Sequence, residues 1–212
     1  MMSAKKRILV LAPHTDDGEL GCGGTIAKEI ARDSEVTYVA FSSADRSLRE
    51  GFPPGTLKKE LMCATKVLGL QEKDVVCFDY DVRNFSTRRQ SILEDMLALK
   101  EKIEPTMVFA PSLNDLHQDH KVVAEEARRM FKRTSILGYE MPWNNISFDT
   151  LSFSVLDRSH IDKKIEALTC YASQRHRAYL NADFIQSLAL TRGVQISVPY
   201  AEAFEVVRWI LP

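Results

Sequence analysis

Short apolar runs of strand length alternate with longer stretches of helical period along this chain, and that alternation restricts its fold more than any other feature. The first run, Ile8-Leu9-Val10-Leu11-Ala12, is unbroken by a polar residue and rich in branched side chains, which predicts a strand over 7–12 buried on both faces. Residues 25–31 have helical character behind a polar, glycine-rich segment. A second strand is predicted over 35–41. A helix follows over 57–68, where Leu61, Ala64, Thr65 and Leu68 recur at three- and four-residue spacing and Gly69 stops it. Strands over 74–78 and 106–110 flank a helix over 91–103, whose stripe is Ile92, Leu93, Met96, Leu97 and Leu99, and a helix over 121–131 comes next. Later strands are predicted over 136–140 and 194–198, with helices over 162–171 and 182–191 between them. The order implies an α/β fold: a mainly parallel, Rossmann-like sheet with helices on both faces, read as a single domain over 1–212. In such sheets ligands bind beyond the carboxyl ends of the strands, so the segments after Ala12, Phe41 and Ala110 come to the fore. The loop Gly51-Phe52-Pro53-Pro54-Gly55 is the expected mobile flap.

Charge excludes one broad class. Lys plus Arg number 28 and Asp plus Glu 29, a formal charge of −1, which does not suit a dedicated nucleic-acid binder. No apolar run approaches the roughly 18 residues of a membrane helix. The basic start, Met1 to Arg7, leads into too short an apolar stretch for a signal peptide. The expectation is therefore a cytoplasmic protein with no membrane insertion. Cys22, Cys63, Cys77 and Cys170 form no CxxC pair and read as small buried thiols in a reducing compartment, with no disulfide frame.

The segment after the first strand holds one imidazole and three carboxylates within six positions: His14, Asp16, Asp17 and Glu19. A dinucleotide-binding turn would need a third glycine where Ile26 stands, and three carboxylates would repel pyrophosphate. Metal binding fits these residue types better. His14 and Asp17, three apart in a turn, can converge on one ion, with Gly18, Gly21, Gly23 and Gly24 letting the backbone fold tightly around it. From this segment alone, the competing reading, in which Asp16 or Asp17 caps the next helix, stays open. After the fourth strand, Asp115-Leu116-His117-Gln118-Asp119-His120 adds two imidazoles. Three of the five histidines thus follow two predicted strands on the binding rim, which points to a metal site.

These residues also carry a resemblance. His14-Thr15-Asp16-Asp17, with Gly21-Cys22-Gly23-Gly24 four residues on, resembles the H-P-D-D…G-C-G-G signature of the LmbE/PIG-L family of zinc-dependent N-acetyl-sugar deacetylases, and His117-Gln118-Asp119-His120 resembles its H-x-D-H motif. The helix ending at Leu68-Gly69, and the segments Tyr171-Ala172-Ser173-Gln174 and Ala201-Glu202-Ala203-Phe204, are similar to others of the family. Thr15 stands where proline is usual and Gly18 where an acidic residue is frequent. The resemblance implies Zn²⁺ (or another divalent transition metal) on His14, Asp17 and His120, with Asp16 as general base. It implies removal of the acetyl group from an amino sugar or N-acetylglucosamine-type conjugate, a small-molecule substrate. On chemical grounds a protonated His117 is expected to donate to the oxyanion, and Asp119 to orient it and keep it cationic.

Arg46 and Arg83 are candidates for substrate binding, and the tract from Asp79 to Arg89 would suit a sugar carrying an anionic group. Surface ion pairs with Glu94 and Asp95 are the alternative. Trp143, with Asn144 and Asn145, reads as a sugar-stacking platform or as a packed aromatic at the sheet edge, while His160 and His176 read as surface residues. Two rivals remain. One is another metallohydrolase (a phosphoesterase or different amidase), although the H-E-x-x-H peptidase signature is absent; the other is a non-catalytic sugar-binding protein. A homo-oligomer is compatible with the composition, but no interface stripe is visible.

Overall fold

The computed structural model describes residues 5–211. Its strands are β1 (Arg7–Ala12), β2 (Glu35–Ala40), β3 (Val75–Cys77), β4 (Met107–Pro111), β5 (Ser135–Tyr139), β6 (Ser152–Leu156) and β7 (Tyr200–Arg208). They form one sheet in the order β3-β2-β1-β4-β5-β7-β6. The first five are parallel, and β7 runs antiparallel to both β5 and β6. The helices are α1 (Asp17–Ala31), α2 (Thr56–Leu68), α3 (Arg89–Ile103), α4 (Gln118–Met130), α5 (Arg158–Thr169) and α6 (Ala182–Val194).

The unbroken apolar run of β1 is explained by what covers it. Ile8, Val10 and Ala12 share one core with Leu20 and Ile26 of α1, Leu61 and Leu68 of α2, and Ala167 and Leu168 of α5. Leu9 and Leu11, pointing the other way, pack with Ile92 and Met96 of α3 and Val123 and Ala127 of α4. Helices therefore cover both faces, as the alternation predicts. Among the described residues, no helix is long and apolar enough to cross a membrane.

Three expectations are corrected. Residues 194–198 do not form a strand: Val194 ends α6, and the following turn places Ser197 at φ 60. A Cβ on Gly193 would lie 2.5 Å from the Val198 carbonyl oxygen, so the chain doubles back there, and the strand comes at Tyr200–Arg208. The glycines after His14 do not form a turn around an ion. They lie inside α1, which starts at Asp17 and bends at Cys22 (φ −146). Lys164 Nζ donates to the Leu20 carbonyl (2.7 Å), while Glu202 accepts the N–H groups of Gly24 and Thr25 (3.0 and 2.7 Å), so the groups flanking the bend are satisfied. The glycines bring this helix against bulky neighbours: a Cβ on Gly21 would sit 2.3 Å from the ring of buried Tyr139. Finally, Cys63 and Cys170, expected as separate thiols, are joined in a disulfide between α2 and the end of α5, with Cα atoms 5.9 Å apart. Cys63 lies on the exposed side of α2, whereas Cys22 is free and buried as expected.

Candidate metal centre and active site

Strands β1 and β4 are neighbours, yet the chain proceeds from β1 to β2 on one side and from β4 to β5 on the other. The loops leaving their carboxyl ends part at this switch point and open a crevice. One loop carries His14 to Asp17 into the start of α1; the other carries Asp115 to His120 into the start of α4.

Across the crevice three donor atoms meet. Asp17 Oδ2 lies 3.1 Å from His14 Nδ1 and 3.2 Å from His120 Nε2, and the two nitrogens are 3.4 Å apart. A tetrahedral ion with bonds of about 2.0–2.1 Å spaces its ligands at about 3.3 Å, so the triangle fits one face of such a site. Each imidazole is fixed from behind. His120 Nδ1 lies 2.7 Å from Asp115 Oδ2, and His14 Nε2 lies 3.1 Å from Asp119 Oδ2. A carboxylate accepting the rear N–H fixes the ring so that the nitrogen facing the triangle is the one an ion would take, in exchange for any proton it carries.

The fields are steep. Burial opposes charge on His120, but Asp17 and Asp115 outweigh it and push it up to about 10. Burial likewise opposes charge on Asp17, yet His120 and His14 hold it well below the usual carboxylate range. Burial, followed by the charge of Asp17, pushes Asp16 up to about 6. Asp16 precedes the first residue of α1, but its side chain makes no capping hydrogen bond and faces the cavity. The capping alternative therefore does not describe it.

Asp119 does not hold His117. Its carboxylate faces His14 and accepts the N–H groups of Arg83 (2.6 Å) and Phe85 (3.4 Å). His117 caps α4 instead, its Nδ1 accepting the Asp119 N–H at 3.2 Å, which leaves Nε2 as the protonated nitrogen. Burial, then His120 and His14, lower His117 to about 4, so it stands as a neutral donor, not the cation expected from sequence.

His14, Asp16, Asp17, Arg83, His117 and His120 all line one cavity of about 220 Å³. Arg46 does not line it; exposed, it pairs with Asp81 at 3.0 Å. Trp143 does, stacked on Tyr179 at 4.0 Å with planes 8° apart. Several residues of the site were not singled out from sequence. Asp115 sits two positions before the histidine motif, and Gln174, Arg177 and Tyr179 come from the segment after α5. Their only signal was proximity to motif residues or to the Tyr-Ala-Ser-Gln stretch.

The two departures from the family signature have a local structural setting. Where an acidic residue is frequent, a Cβ on Gly18 would lie 2.5 Å from the Tyr38 ring. The acid stands one residue later, as Glu19, fully buried against the hydroxyls of Tyr38 and Tyr171. Both hydroxyls also reach the Thr15 carbonyl, at 3.0 and 2.6 Å. Two hydroxyl hydrogens cannot serve that carbonyl and both Glu19 oxygens, and burial pushes Glu19 up to about 8, where it carries the missing proton. Thr15 itself adds a buried hydroxyl without a hydrogen-bond partner among the described residues.

Residues 9–131 match the profile of the PIG-L family, described as GlcNAc-PI de-N-acetylase. An uncharacterized deacetylase of Escherichia coli K12, YaiS, is 30% identical over 189 residues, covering 82% of this chain and 95% of its own. A probable N-acetyl-alpha-D-glucosaminyl L-malate deacetylase 2 of Bacillus anthracis is 25% identical over 190 residues, covering 82% and 83%. Among solved structures, the N,N'-diacetylchitobiose deacetylase of Pyrococcus horikoshii superposes with a TM-score of 0.79 at 20% identity, over 96% of this chain and 84% of its own, a likeness of fold.

Proposed function

Because the chain belongs to the PIG-L family, we propose that it is a metal-dependent deacetylase that hydrolyses the acetamide of an amino sugar or an N-acetylglucosamine-type conjugate. The observation that carries this reading is the triangle of His14 Nδ1, Asp17 Oδ2 and His120 Nε2, with edges of 3.1–3.4 Å, beside an uncommitted Asp16 carboxylate. His14, Asp17 and His120 would hold the ion, and imidazole with carboxylate is a donor set suited to zinc. When bound, a divalent ion polarises the amide carbonyl and makes water acidic enough to attack near neutral pH.

The remaining chemistry belongs to the side chains. Asp16, ionised above about pH 6, takes a proton from the attacking water onto its carboxylate and passes it to the departing amine nitrogen. His117 donates its Nε2–H to the carbonyl oxygen as that oxygen gains negative charge. Asp115 and Asp119 act through His120 and His14 as positioning residues. Trp143 and Tyr179 offer an aromatic wall on which a pyranose can rest.

The test is acetate release from N-acetylglucosamine glycosides by zinc-loaded protein, with and without chelator, beside an Asp16→Asn variant. The expected result is chelator-sensitive release, lost in the variant while zinc content persists. Phosphate-ester hydrolysis without acetate release would favour the phosphoesterase rival. Saturable sugar binding without turnover would favour the binding protein.

A further inference from the structure

Helices α4 and α6 begin in the ordinary way. A side chain at the cap position accepts the N–H two residues on: His117 takes that of Asp119 at 3.2 Å, and Asn181 takes that of Asp183 at 2.7 Å. Helix α1 has an aspartate in the same place, among the best capping residues, yet the Asp16 carboxylate caps nothing. The N–H it would accept is that of Gly18, and another group has taken it. Gly18 N–H donates to the Tyr38 hydroxyl at 3.0 Å.

Tyr38 comes from β2, is fully buried, and reaches the start of α1 because residue 18 has no side chain; a Cβ there would lie 2.5 Å from the Tyr38 ring. The same hydroxyl lies 3.0 Å from the Thr15 carbonyl oxygen, and the Tyr171 hydroxyl lies 2.6 Å from it. That carbonyl belongs to the planar peptide unit joining Thr15 to Asp16, so two tyrosines fix the plane from which the Asp16 side chain departs. The backbone records the difference. His117 and Asn181 are extended, at φ −67, ψ 125 and φ −69, ψ 134, whereas Asp16 stands at φ −99, ψ −8 with its carboxylate in the cavity. The Asp16 carbonyl still accepts the Leu20 N–H at 3.0 Å, so the first helical bond of α1 is intact.

We infer that Tyr38 is a positioning residue for Asp16: its hydroxyl takes the place of the side-chain cap at Gly18 and thereby leaves the Asp16 carboxylate free for proton transfer. An aspartate at a helix start is otherwise drawn onto the unpaired N–H groups of the first turn, by hydrogen bonding and by the helix dipole. The catalytic consequence rests on the deacetylase reading, in which Asp16 is the base; the exchange of caps does not.

A double-mutant cycle in melting temperature tests the exchange without reference to turnover. Asp16→Ala should not lower Tm in the wild-type background, because no cap is lost. In Tyr38→Phe the carboxylate turns back onto the Gly18 N–H, and Asp16→Ala should then lower Tm by about 2–4 °C, the usual cost of a lost cap in a chain of this size. Tyr171→Phe is the control: it takes a hydroxyl from the same Thr15 carbonyl and the same Glu19 without touching Gly18, so Asp16→Ala should behave there as in wild type. A drop in the wild-type background, or one equal shift in all three backgrounds, overturns the inference. In the acetate assay Tyr38→Phe should lose roughly tenfold or more in kcat, bounded by the 10²–10⁴ that a general base supplies, with KM and zinc content little changed. Added to Asp16→Asn it should cost nothing further. Gly18→Ala, which displaces the hydroxyl without removing it, should act alike in both assays and serves if Tyr38→Phe does not fold. Wild-type kcat in Tyr38→Phe overturns the inference. If wild-type protein itself releases no acetate, the deacetylase reading fails and the melting cycle alone decides the exchange.

Discussion

Replacing Asp115 by asparagine should weaken metal binding without unfolding the protein, and its size follows from the tautomer of one histidine. The Asp115 side chain is fully buried and makes two contacts: Oδ1 accepts the His117 N–H at 2.8 Å, and Oδ2 faces His120 Nδ1 at 2.7 Å. In Asp115→Asn the single oxygen stays on the His117 N–H, since reversing the amide would set an NH₂ against a donor. The amide NH₂ then faces His120 Nδ1 and makes it an acceptor, driving the imidazole proton onto Nε2, which should face the ion. Restoring the ligating tautomer opposes two donors in a buried place, at about 1–3 kcal/mol. With a tenfold change per 1.4 kcal/mol, zinc affinity should fall roughly 10- to 100-fold, the range usual for losing a carboxylate behind a metal-bound histidine. Competition against a chromogenic chelator measures this directly, with circular dichroism of the apo form as the fold control. A folded Asp115→Asn protein that binds zinc within twofold of wild type would refute the tautomer argument.

Three further outcomes are expected. The pH profile of kcat/KM should have an acid limb at or below about 6, rising as Asp16 ionises; burial and Asp17 raise its proton affinity, and a bound cation lowers it. An absent limb in zinc-loaded protein would count against Asp16 as the base. Gly21→Ala should destabilise despite a helix-propensity gain of up to about 1 kcal/mol, because its Cβ would lie 2.3 Å from the Tyr139 ring and overpacking costs about 1–3 kcal/mol; the melting temperature should fall by several degrees. Reducing the Cys63–Cys170 bond, which spans 107 residues of sequence, should remove about 2–4 kcal/mol, a drop of about 4–16 °C in a chain of this size. Thermal scans with and without a thiol reductant, beside a Cys63→Ser variant, check it.

The legible parts of the sequence were those set by local pattern. Strands covered on both faces leave unbroken apolar runs, so β1 and β5 stood out, and the two rim segments followed from sheet topology. Residues 18–24 were misread because four glycines argue against a helix by propensity. Packing decides otherwise, as α1 can lie against Tyr139 and Leu156 only without side chains there. Asp119 was matched with His117 because they are neighbours in sequence; its contact with His14, 105 residues away, has no local signature. Arg177 was missed for the same reason, since it joins the cavity only once the segment after α5 is brought beside the loop after β1; the partners of Asp115, His117 and His120, are two and five residues away in its own loop, whose conformation spacing does not reveal. The Cys63–Cys170 bond is likewise invisible to spacing, since it depends on α2 packing against α5.

The donor triangle closes across 106 residues of sequence, and an unfolded chain has no counterpart of it. An ion taken up there would act as a clasp between the loops leaving β1 and β4, and its binding free energy would be withheld from the unfolded state. At a free ion concentration one hundred times Kd that linkage amounts to about 2.7 kcal/mol of resistance to unfolding. Prolonged exposure to chelator should therefore soften the seam between the two central strands as well as silence the site.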